Sequence, residues 1–398
     1  MIWDEIDKEL AALKEQGLLR QRRVLASPCG VLELVLDSVT NAATPLLAFC
    51  SNDYLGLAAD PLLVDAARDA AGRWGVGSGS SHLVSGHLAP HEQLEQRLAA
   101  FIGCDRTLYF STGYMANIGV VPALVGRGDA VFADRLNHAS LIDAAQLSRA
   151  DHHRYPHTDL VTLERQLASS NAKRKLILTD AVFSMDGDLA PLPQLLELAE
   201  RFDAWLVVDD AHGFGVLGPN GRGSLAHFGI ALDAYPRLLY IGTLGKAAGV
   251  SGAFVAGTVS VIEWLMQRAR TYIFTTASSP IVVATLLKSL ELIEQGDTRR
   301  AHLQTLIRCL QEGLASTQWQ LLASPTAIQP IIIGDNHAAL ACSAALLECG
   351  IRVAAIRPPT VPKGTARLRI TLSAAHSIEQ VERLITALKQ IESHSGAQ

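Results

Sequence analysis

The stretch VVDDAHGFG at residues 207–215 ends an apolar run with two acids, a histidine and a glycine-rich turn. Such a run predicts a buried strand, and in an open parallel sheet the functional site lies beyond the carboxyl ends of the strands. Asp209 is therefore placed where an acid can hold the cationic nitrogen of a heterocycle. Taken alone, the stretch fits equally well with an acid that only caps the next helix.

A lysine occupies a matching position about one strand–helix unit later. In YIGTLGKAAGVSG (240–252), Lys246 follows another apolar run and is surrounded by small residues. Small residues let a planar ligand approach the backbone, and a lysine shielded from water has a lowered pKa and a nucleophilic amine. Asp209 and Lys246 together predict a site for pyridoxal 5'-phosphate, in which the lysine binds the aldehyde and the acid keeps the ring nitrogen protonated.

The phosphate of such a cofactor needs hydrogen-bond donors. YFSTGYMANIG (109–119) indicates a strand, a turn and the start of a helix, where free N–H groups bind phosphate. Gly113 and Tyr114 are the candidates, and Thr243 can add a hydroxyl. The glycine-rich GVGSGSS (75–81) has no preceding strand and no following GKS or GKT, so its small residues favour a close approach to the cofactor or to a neighbouring subunit over nucleotide binding.

Short apolar runs alternate with helical patterns along most of the chain. The runs are TLYF (107–110), AVFA (130–133), KLILT (175–179), WLVV (205–208) and LLYI (238–241), and LPQLLELAERFD (192–203) exemplifies the helical pattern between them. This alternation predicts an α/β fold with a large, mostly parallel sheet flanked by helices. It weakens after Pro280, where a long helical stretch, AIQPIIIG, RLRITLS and a final helix predict a smaller C-terminal α+β domain. We therefore predict an N-terminal segment of a helix and a short β element at 1–50, a cofactor-binding domain at 51–282 and a small domain at 283–398.

Composition and charge exclude several classes of function. The chain has 398 residues, of which 49% are hydrophobic, with a net charge of -5 and a pI near 6.2, so it has no general attraction for nucleic acid or anionic lipid. Without a secretory signal or a run of roughly 20 apolar residues, a cytoplasmic protein with no membrane contact is expected. The six cysteines include no CxxC pair, and this pattern argues against a structural metal site and against a disulfide framework.

Several motifs occur in the order found in one enzyme family. They are SNDYLGL (51–57), RLNHASLIDA (135–144), FSMDGD (183–188), VDDAHGFGVLG (208–218) and TLGKAAGVSG (243–252). Over nearly its whole length the chain resembles the α-oxoamine synthases, which are fold type I pyridoxal phosphate enzymes. The resemblance implies an aminotransferase-like fold and a homodimer with its active sites at the subunit interface.

The same resemblance implies roles for individual residues around the cofactor. Lys246 is the covalent attachment point, and Asp209 pairs with the ring nitrogen. His138 stacks on the ring and hydrogen-bonds the developing carbonyl oxygen, while His212 and Ser184 contact the ring hydroxyl. A further position, Thr275 in FTTASSP, corresponds to the one from which the second subunit reaches the phosphate, although a hydroxyl that closes a loop would explain it equally well.

Arginines are the candidates for holding the substrates. A substrate carboxylate suits the planar donor fork of arginine, which favours Arg369 in RLRI, with Arg367 expected as its solvent-facing alternate on a strand. The resemblance implies that Arg357 and Thr360 line the entrance to the same substrate-binding site. An N-terminal arginine holds the acyl substrate; Arg22 is the first choice, and Arg20 and Arg23 remain alternatives.

Two C-terminal segments bear on the choice of substrates. AIQPIIIGDN (327–336) and AIRPPTVPKGTARLRITLSAAH (355–376) look most like family members that join L-alanine to a pimeloyl thioester, on coenzyme A or a carrier protein, with loss of carbon dioxide. The chain is then a pyridoxal phosphate-dependent C-acyltransferase. A sister enzyme using glycine and acetyl-CoA has the same catalytic set and remains an alternative. The presence of both Lys246 and Asp209 disfavours a silent cofactor-holding subunit. A nucleotide-binding α/β module is the other alternative, which a yellow purified protein would exclude.

Overall fold

The computed structural model describes residues 2–20, 22–37 and 40–395. The helices are α1 (Ile2–Glu15), α2 (Pro61–Trp74), α3 (Ala89–Ile102), α4 (Gly113–Leu124), α5 (Ala139–Ser148), α6 (Leu160–Ser169), α7 (Leu192–Arg201), α8 (Ser224–His227), α9 (Val259–Arg268), α10 (Arg270–Ile273), α11 (Pro280–Glu294), α12 (Asp297–Leu314), α13 (Asn336–Glu348) and α14 (Ile378–Ser395). The strands are β1 (Val24–Leu25), β2 (Leu32–Leu36), β3 (Ala43–Ala48), β4 (Arg106–Phe110), β5 (Ala130–Asp134), β6 (Asp151–Tyr155), β7 (Lys175–Asp180), β8 (Ala204–Asp209), β9 (Leu238–Thr243), β10 (Ala253–Gly257), β11 (Gln320–Leu321), β12 (Ile328–Gly334), β13 (Ile351–Arg352), β14 (Ala354–Ile356) and β15 (Ala366–Thr371).

One compact unit, formed by Leu57–Ser184 and Leu189–Thr298, contains a seven-stranded sheet. The strand order is β4-β10-β9-β8-β7-β5-β6, and among the strand pairs described the two antiparallel ones are those of β10 with β4 and with β9. The predicted large, mostly parallel sheet flanked by helices is therefore confirmed. We call this part the sheet unit.

The apolar runs predicted as strands all lie in this sheet, because helices cover its central strands. Every residue of β5 and β8 except Trp205 is buried, and residues of α4 such as Val120 and Val121 pack in the same core as Leu176 of β7 and Val207 of β8. Strands covered on both faces need apolar residues at successive positions rather than at alternate ones. Runs such as KLILT and WLVV are typical of that environment.

The second compact unit is formed by Met1–Gly56, Met185–Asp188 and Arg299–Gln398. It contains two four-stranded sheets, ordered β1-β2-β3-β13 and β11-β12-β15-β14, together with helices such as α13 and α14. The smaller α+β part predicted from the C-terminal sequence is present, and AIQPIIIG and RLRITLS supply its strands β12 and β15. We call this part the α+β unit. The three-part domain division at residues 50 and 282 stays a prediction.

Among the described residues, no helix is at once long enough and apolar enough to cross a bilayer.

The sheet register brings polar groups to one edge of the sheet. β7, β8 and β9 are neighbouring parallel strands, and their last residues are Asp180, Asp209 and Thr243. Asp180 and Asp209 are direct partners in the register. The carboxyl ends of these strands therefore form one polar floor beneath the loops that follow them.

Candidate active site

A cavity in the sheet unit gathers most of the predicted cofactor residues. Its volume is about 310 Å³, which is in the range of small-molecule sites. The predicted residues that line it are Gly113, Tyr114, His138, Ser184, Asp209, His212, Thr243 and Lys246. Its wall also includes Asn117, Ser140 and Asp180, which the sequence analysis did not single out.

Asp209 and Lys246 reach this cavity from neighbouring strands. Asp209 is the last residue of β8 and is only 4% exposed, whereas Lys246 is partly exposed and lies three residues beyond β9. The Nζ atom of Lys246 lies 2.9 Å from Nε2 of His212, the histidine of the DDAHG turn. The amine and the carboxylate expected at opposite ends of one ring thus line the same cavity.

The two adjacent acids of VVDD have different partners. Asp209 accepts hydrogen bonds from the backbone N–H of Ala211 (3.0 Å) and from the side chain of Asn117 (2.7 Å). Asp210 is fully buried and accepts from the Ser224 backbone N–H (2.6 Å), the Ser224 hydroxyl (2.5 Å) and the Tyr240 hydroxyl (2.7 Å). Burial raises the pKa of Asp210 to about 6. Asp209 therefore serves the cavity, and Asp210 fixes the turn beneath it.

His138 caps helix α5 at the cavity wall. Its Nδ1 accepts the backbone N–H of Ser140 (3.3 Å), and its own backbone N–H donates to Asp180 (2.6 Å). Desolvation lowers the pKa of His138; the carboxylate of Asp209 opposes this shift and the ammonium of Lys246 adds to it, so that the net direction is downward. Burial and the neighbouring Asp209 raise the pKa of Asp180 well above its usual range. The imidazole is therefore neutral near pH 7.

Asn117 was missed by the sequence analysis. It lies in α4, is 1% exposed, and its Nδ2 donates to Asp209 Oδ2 (2.7 Å) and to the Ser140 hydroxyl oxygen (2.9 Å). The available signal was a single amide within the otherwise apolar helix sequence GYMANIGVVPAL, since a buried polar residue there needs a partner. The contacts make Asn117 part of the same polar network as Asp209.

The start of α4 forms one wall of the cavity. The Thr112 hydroxyl oxygen caps the helix by accepting the Met115 N–H at 3.1 Å, so Gly113 and Tyr114 present first-turn N–H groups that helix geometry leaves without an intrahelical acceptor. A Cβ added at Gly113 would lie 2.7 Å from the γ-methyl of Thr243. Glycine is therefore required for the close approach between this turn and the end of β9.

The other two predicted cofactor residues of the sheet unit differ in position. Ser184 is partly buried and lines the cavity. Thr275 is also partly buried but is not among the cavity's lining residues, and it lies between α10 and α11. The role of Thr275 toward a phosphate stays a prediction.

Arg369 and Arg367 lie on β15 of the α+β unit. Arg369 is 6% exposed and donates to Asn52 Oδ1 (3.2 Å) and the Thr371 hydroxyl (3.0 Å). Arg367 is 3% exposed and forms an ion pair with Asp186. The expectation that Arg367 faces solvent is wrong, because residues two apart on a strand project from the same face.

The remaining predicted substrate residues also lie in the α+β unit. Arg22 is exposed between α1 and β1, and Thr360 is exposed beyond β14. Arg357 is partly buried and donates to the carbonyl oxygen of Gly17, and burial and the nearby Arg20 lower its pKa. Their roles toward an acyl substrate stay predictions.

The cavity combines four kinds of group. It offers a lysine amine, a buried carboxylate, a neutral imidazole and backbone N–H donors at a helix start. An anion beside an amine suits a ligand that forms a covalent bond to nitrogen and carries positive charge at its far end. The N–H donors suit a phosphate.

The chain is similar to known enzymes over nearly its whole length. Residues 44–388 match the family described as aminotransferase class I and II. The 8-amino-7-oxononanoate synthases of Herminiimonas arsenicoxydans and Aromatoleum aromaticum are 73% and 62% identical to this chain, and each match covers 98% of this chain and 99% of the relative. Serine palmitoyltransferase from S. paucimobilis, in a structure with a bound PLP–myriocin aldimine, superposes with a TM-score of 0.91 at 29% identity, and the match covers 100% of this chain and 98% of that one. An 8-amino-7-oxononanoate synthase from Francisella tularensis is 32% identical, with a TM-score of 0.76 over 88% of this chain and 99% of its own.

Proposed function

The chain belongs to the aminotransferase class I and II family, and we propose that it catalyses the 8-amino-7-oxononanoate synthase reaction of biotin biosynthesis. In this reaction the α-carbon of L-alanine attacks the carbonyl of a pimeloyl thioester, the thiol leaves, and the alanine carboxyl group leaves as carbon dioxide. The observation that supports this choice is the 73% identity, over nearly both full lengths, with an enzyme of that name.

The fold alone does not select this reaction. Serine palmitoyltransferase superposes more completely than the F. tularensis synthase, yet its identity is only 29%. Enzymes of one fold carry out different reactions, so specificity has to be argued from sequence and site rather than from superposition. Identities of 62–73% across nearly the whole chain therefore carry more weight than the better superposition on serine palmitoyltransferase.

The residues of the cavity fit pyridoxal 5'-phosphate. The carboxylate of Asp209 would hold the protonated ring nitrogen, the first-turn N–H groups of Gly113 and Tyr114 with the Thr243 hydroxyl would hold the phosphate, and Lys246 would bind the aldehyde carbon. When bound, the cofactor supplies an electron-accepting ring that stabilises negative charge at the substrate α-carbon.

The chain's own groups would then handle the protons. Lys246 Nζ would accept the proton from the α-carbon of alanine and would later return one to the product. His212, which lies next to Lys246, would hold the ring hydroxyl together with Ser184. These two contacts would fix the plane of the ring that the α-carbon must face. His138 would stack on that plane and donate a hydrogen bond to the thioester carbonyl oxygen as it gains charge.

Product analysis with labelled substrates tests the proposed function. The purified protein with pyridoxal phosphate should convert carboxyl-labelled L-alanine and pimeloyl-CoA into 8-amino-7-oxononanoate, free CoA and labelled carbon dioxide, all detected by mass spectrometry. Pimeloyl-carrier protein is a second acyl donor, and glycine with acetyl-CoA is the rival pair. Turnover of the rival pair alone, or of no pair, would contradict the proposal.

Gly113→Ala is predicted to weaken cofactor binding about tenfold, equivalent to about 1.4 kcal/mol. The added methyl group would meet the Thr243 γ-methyl at 2.7 Å, so the first turn of α4 must shift and misplace its N–H groups. Titration of the apoprotein with pyridoxal phosphate measures the change. Gly113→Ala/Thr243→Ser lacks the obstructing methyl but keeps the hydroxyl, so it should recover most of the affinity; a double variant as weak as the single one would disprove this explanation.

Arg369→Lys is predicted to raise the KM for L-alanine by roughly 10- to 100-fold, because an ammonium cannot replace a planar fork toward a carboxylate. The KM for pimeloyl-CoA should change little. Arg367→Lys is the matched control: since Arg367 is paired with Asp186, its loss should lower the melting temperature without a comparable change in the KM for alanine. Equal KM effects of both variants would remove Arg369 from this role.

We also propose that the enzyme is a homodimer with its active sites at the subunit interface. In this dimer Thr275 would reach the phosphate of the cofactor bound in the other subunit. Contacts to the acyl substrate would come from Arg357, Thr360 and Arg22. A cytoplasmic location is proposed because all six cysteines are free thiols, which suits a reducing compartment. Sedimentation of the protein with and without pyridoxal phosphate tests the dimer.

A further inference from the structure

A chain of hydrogen bonds runs from Asp209 to His138 through two buried side chains. Asn117 Nδ2 lies 2.7 Å from Asp209 Oδ2 and 2.9 Å from the hydroxyl oxygen of Ser140. The Ser140 hydroxyl oxygen lies 2.7 Å from Nδ1 of His138. Asn117 and Ser140 are each 1% exposed, so these contacts are protected from exchange with bulk water.

The orientation of the Asn117 amide is fixed by its partner. An ionised carboxylate only accepts hydrogen bonds, so the amide must direct its NH₂ group toward Asp209. Asn117 Oδ1 makes no hydrogen bond to any residue that the structure describes, and exchanging the two amide atoms would place this oxygen against Asp209 Oδ2. The second N–H of Asn117 therefore points at Ser140.

The direction of the next hydrogen bond follows from the helix cap. The backbone N–H of Ser140 can only donate, and it points at His138 Nδ1 at 3.3 Å, so Nδ1 is an acceptor. The Ser140 hydroxyl accepts from Asn117 and is thereby left to donate its own hydrogen to the same nitrogen. A neutral imidazole that accepts at Nδ1 carries its proton at Nε2.

We propose that Asn117 is a positioning residue that acts through the Ser140 hydroxyl to hold His138 as the Nε2–H tautomer. His138 then offers the substrate a hydrogen-bond donor and not a base. Only the identity of the group that receives this bond, the thioester carbonyl oxygen, rests on the proposed function. The tautomer itself is a property of the protein without substrate.

Asn117→Asp reverses the direction of the relay. The introduced carboxyl group shares a proton with Asp209, because two carboxylates in contact cannot both be ionised. Its oxygen next to Ser140 then has no hydrogen to donate there, and it accepts the Ser140 hydroxyl hydrogen that otherwise goes to His138. The Ser140 oxygen is then left to accept, which favours a proton on His138 Nδ1. In Asn117→Asp the hydroxyl contact to Nδ1, at 2.7 Å, outweighs the longer backbone N–H contact at 3.3 Å. In Asn117→Asp/Ser140→Ala no hydroxyl is present, so the backbone N–H of residue 140 decides and keeps Nδ1 an acceptor.

Nitrogen NMR of the full chain, labelled with 15N-histidine and loaded with pyridoxal phosphate but without substrate, distinguishes these states. The signals of His138 are assigned by their loss in His138→Gln. We expect a pyridine-type Nδ1 shift and a pyrrole-type Nε2 shift in the unaltered protein, a movement of Nδ1 toward the pyrrole type in Asn117→Asp, and its reversal in the double variant. Ser148→Ala, which removes another buried hydroxyl from α5, should change nothing.

Two results would overturn the inference. One is a protonated Nδ1 in the unaltered protein. The other is an Asn117→Asp effect that persists in the double variant, since that indicates direct charge and not the relay. If Asn117→Asp does not fold, Ser140→Ala alone decides: loss of the hydroxyl donor must move the Nδ1 signal relative to Ser148→Ala, and an unmoved signal refutes the relay. Because no substrate is present, either failure leaves the proposed reaction untouched, and failure of product formation leaves the tautomer untouched.

Discussion

Lys246→Ala is expected to yield a folded protein that forms no covalent link to pyridoxal phosphate and makes no product. The Nζ atom of Lys246 lines the cavity with Asp209 and lies 2.9 Å from His212 Nε2, and the residues around it in TLGKAAG are small. Among the residues that the structure describes, no other lysine lines the cavity, so none of them places a second amine to replace it. Loss of the proton acceptor alone costs roughly 10²–10⁴-fold in turnover, and loss of the attachment point adds to this.

The covalent link has a direct readout besides activity. Borohydride reduces an imine to a stable amine, so the treated protein should gain the mass of the reduced cofactor on the peptide that contains Lys246. Lys246→Ala should gain none and should lack the yellow absorbance of the linked cofactor. Lys288→Ala is the control, since Lys288 lies on α11 in an ion pair with Glu291 and does not line the cavity. A labelled peptide elsewhere, or normal turnover of Lys246→Ala, would exclude this lysine.

The sequence predicted strands of the sheet that form apolar runs between helical patterns. It missed β6 and β10, which do not follow this alternation. β6 has the sequence DHHRY at the edge of the sheet, where most of its residues are at least partly exposed, so no apolar run marks it. β10 is apolar but runs antiparallel between β4 and β9. Alternation of strands and helices predicts parallel neighbours and gives no reason to expect this insertion.

The site was predictable where a residue follows a strand and not where it acts from a helix. Asp209, Thr243 and Lys246 were found because strand ends are recognisable. Asn117 lies within α4, and its partners Asp209 and Ser140 are 92 and 23 residues away in sequence, so only the fold brings them together. The sequence singled out Asp209 but gave no role to Asp210, because that role depends on Ser224 and Tyr240, which contact Asp210 only in the folded chain.

Asp209→Asn is expected to reduce turnover on the order of 10²–10³-fold, the usual cost of losing one preorganised electrostatic partner. A neutral amide cannot hold a protonated ring nitrogen as a carboxylate does. In addition, Asp209 accepts from both Ala211 N–H and Asn117 Nδ2, and an amide has only one acceptor oxygen for these two donors. The cofactor should still attach to Lys246, so the reduced-cofactor peptide should appear while product formation is largely lost.

Asp210→Asn provides the matched comparison one residue away. Asp210 accepts three hydrogen bonds from Ser224 and Tyr240 and does not line the cavity. Its replacement leaves at least one buried donor unsatisfied, which costs about 1–3 kcal/mol of stability. The melting temperature should therefore fall while turnover of the folded protein is kept. If Asp209→Asn instead lost stability and kept turnover, and Asp210→Asn did the opposite, the roles assigned to the two acids would have to be exchanged.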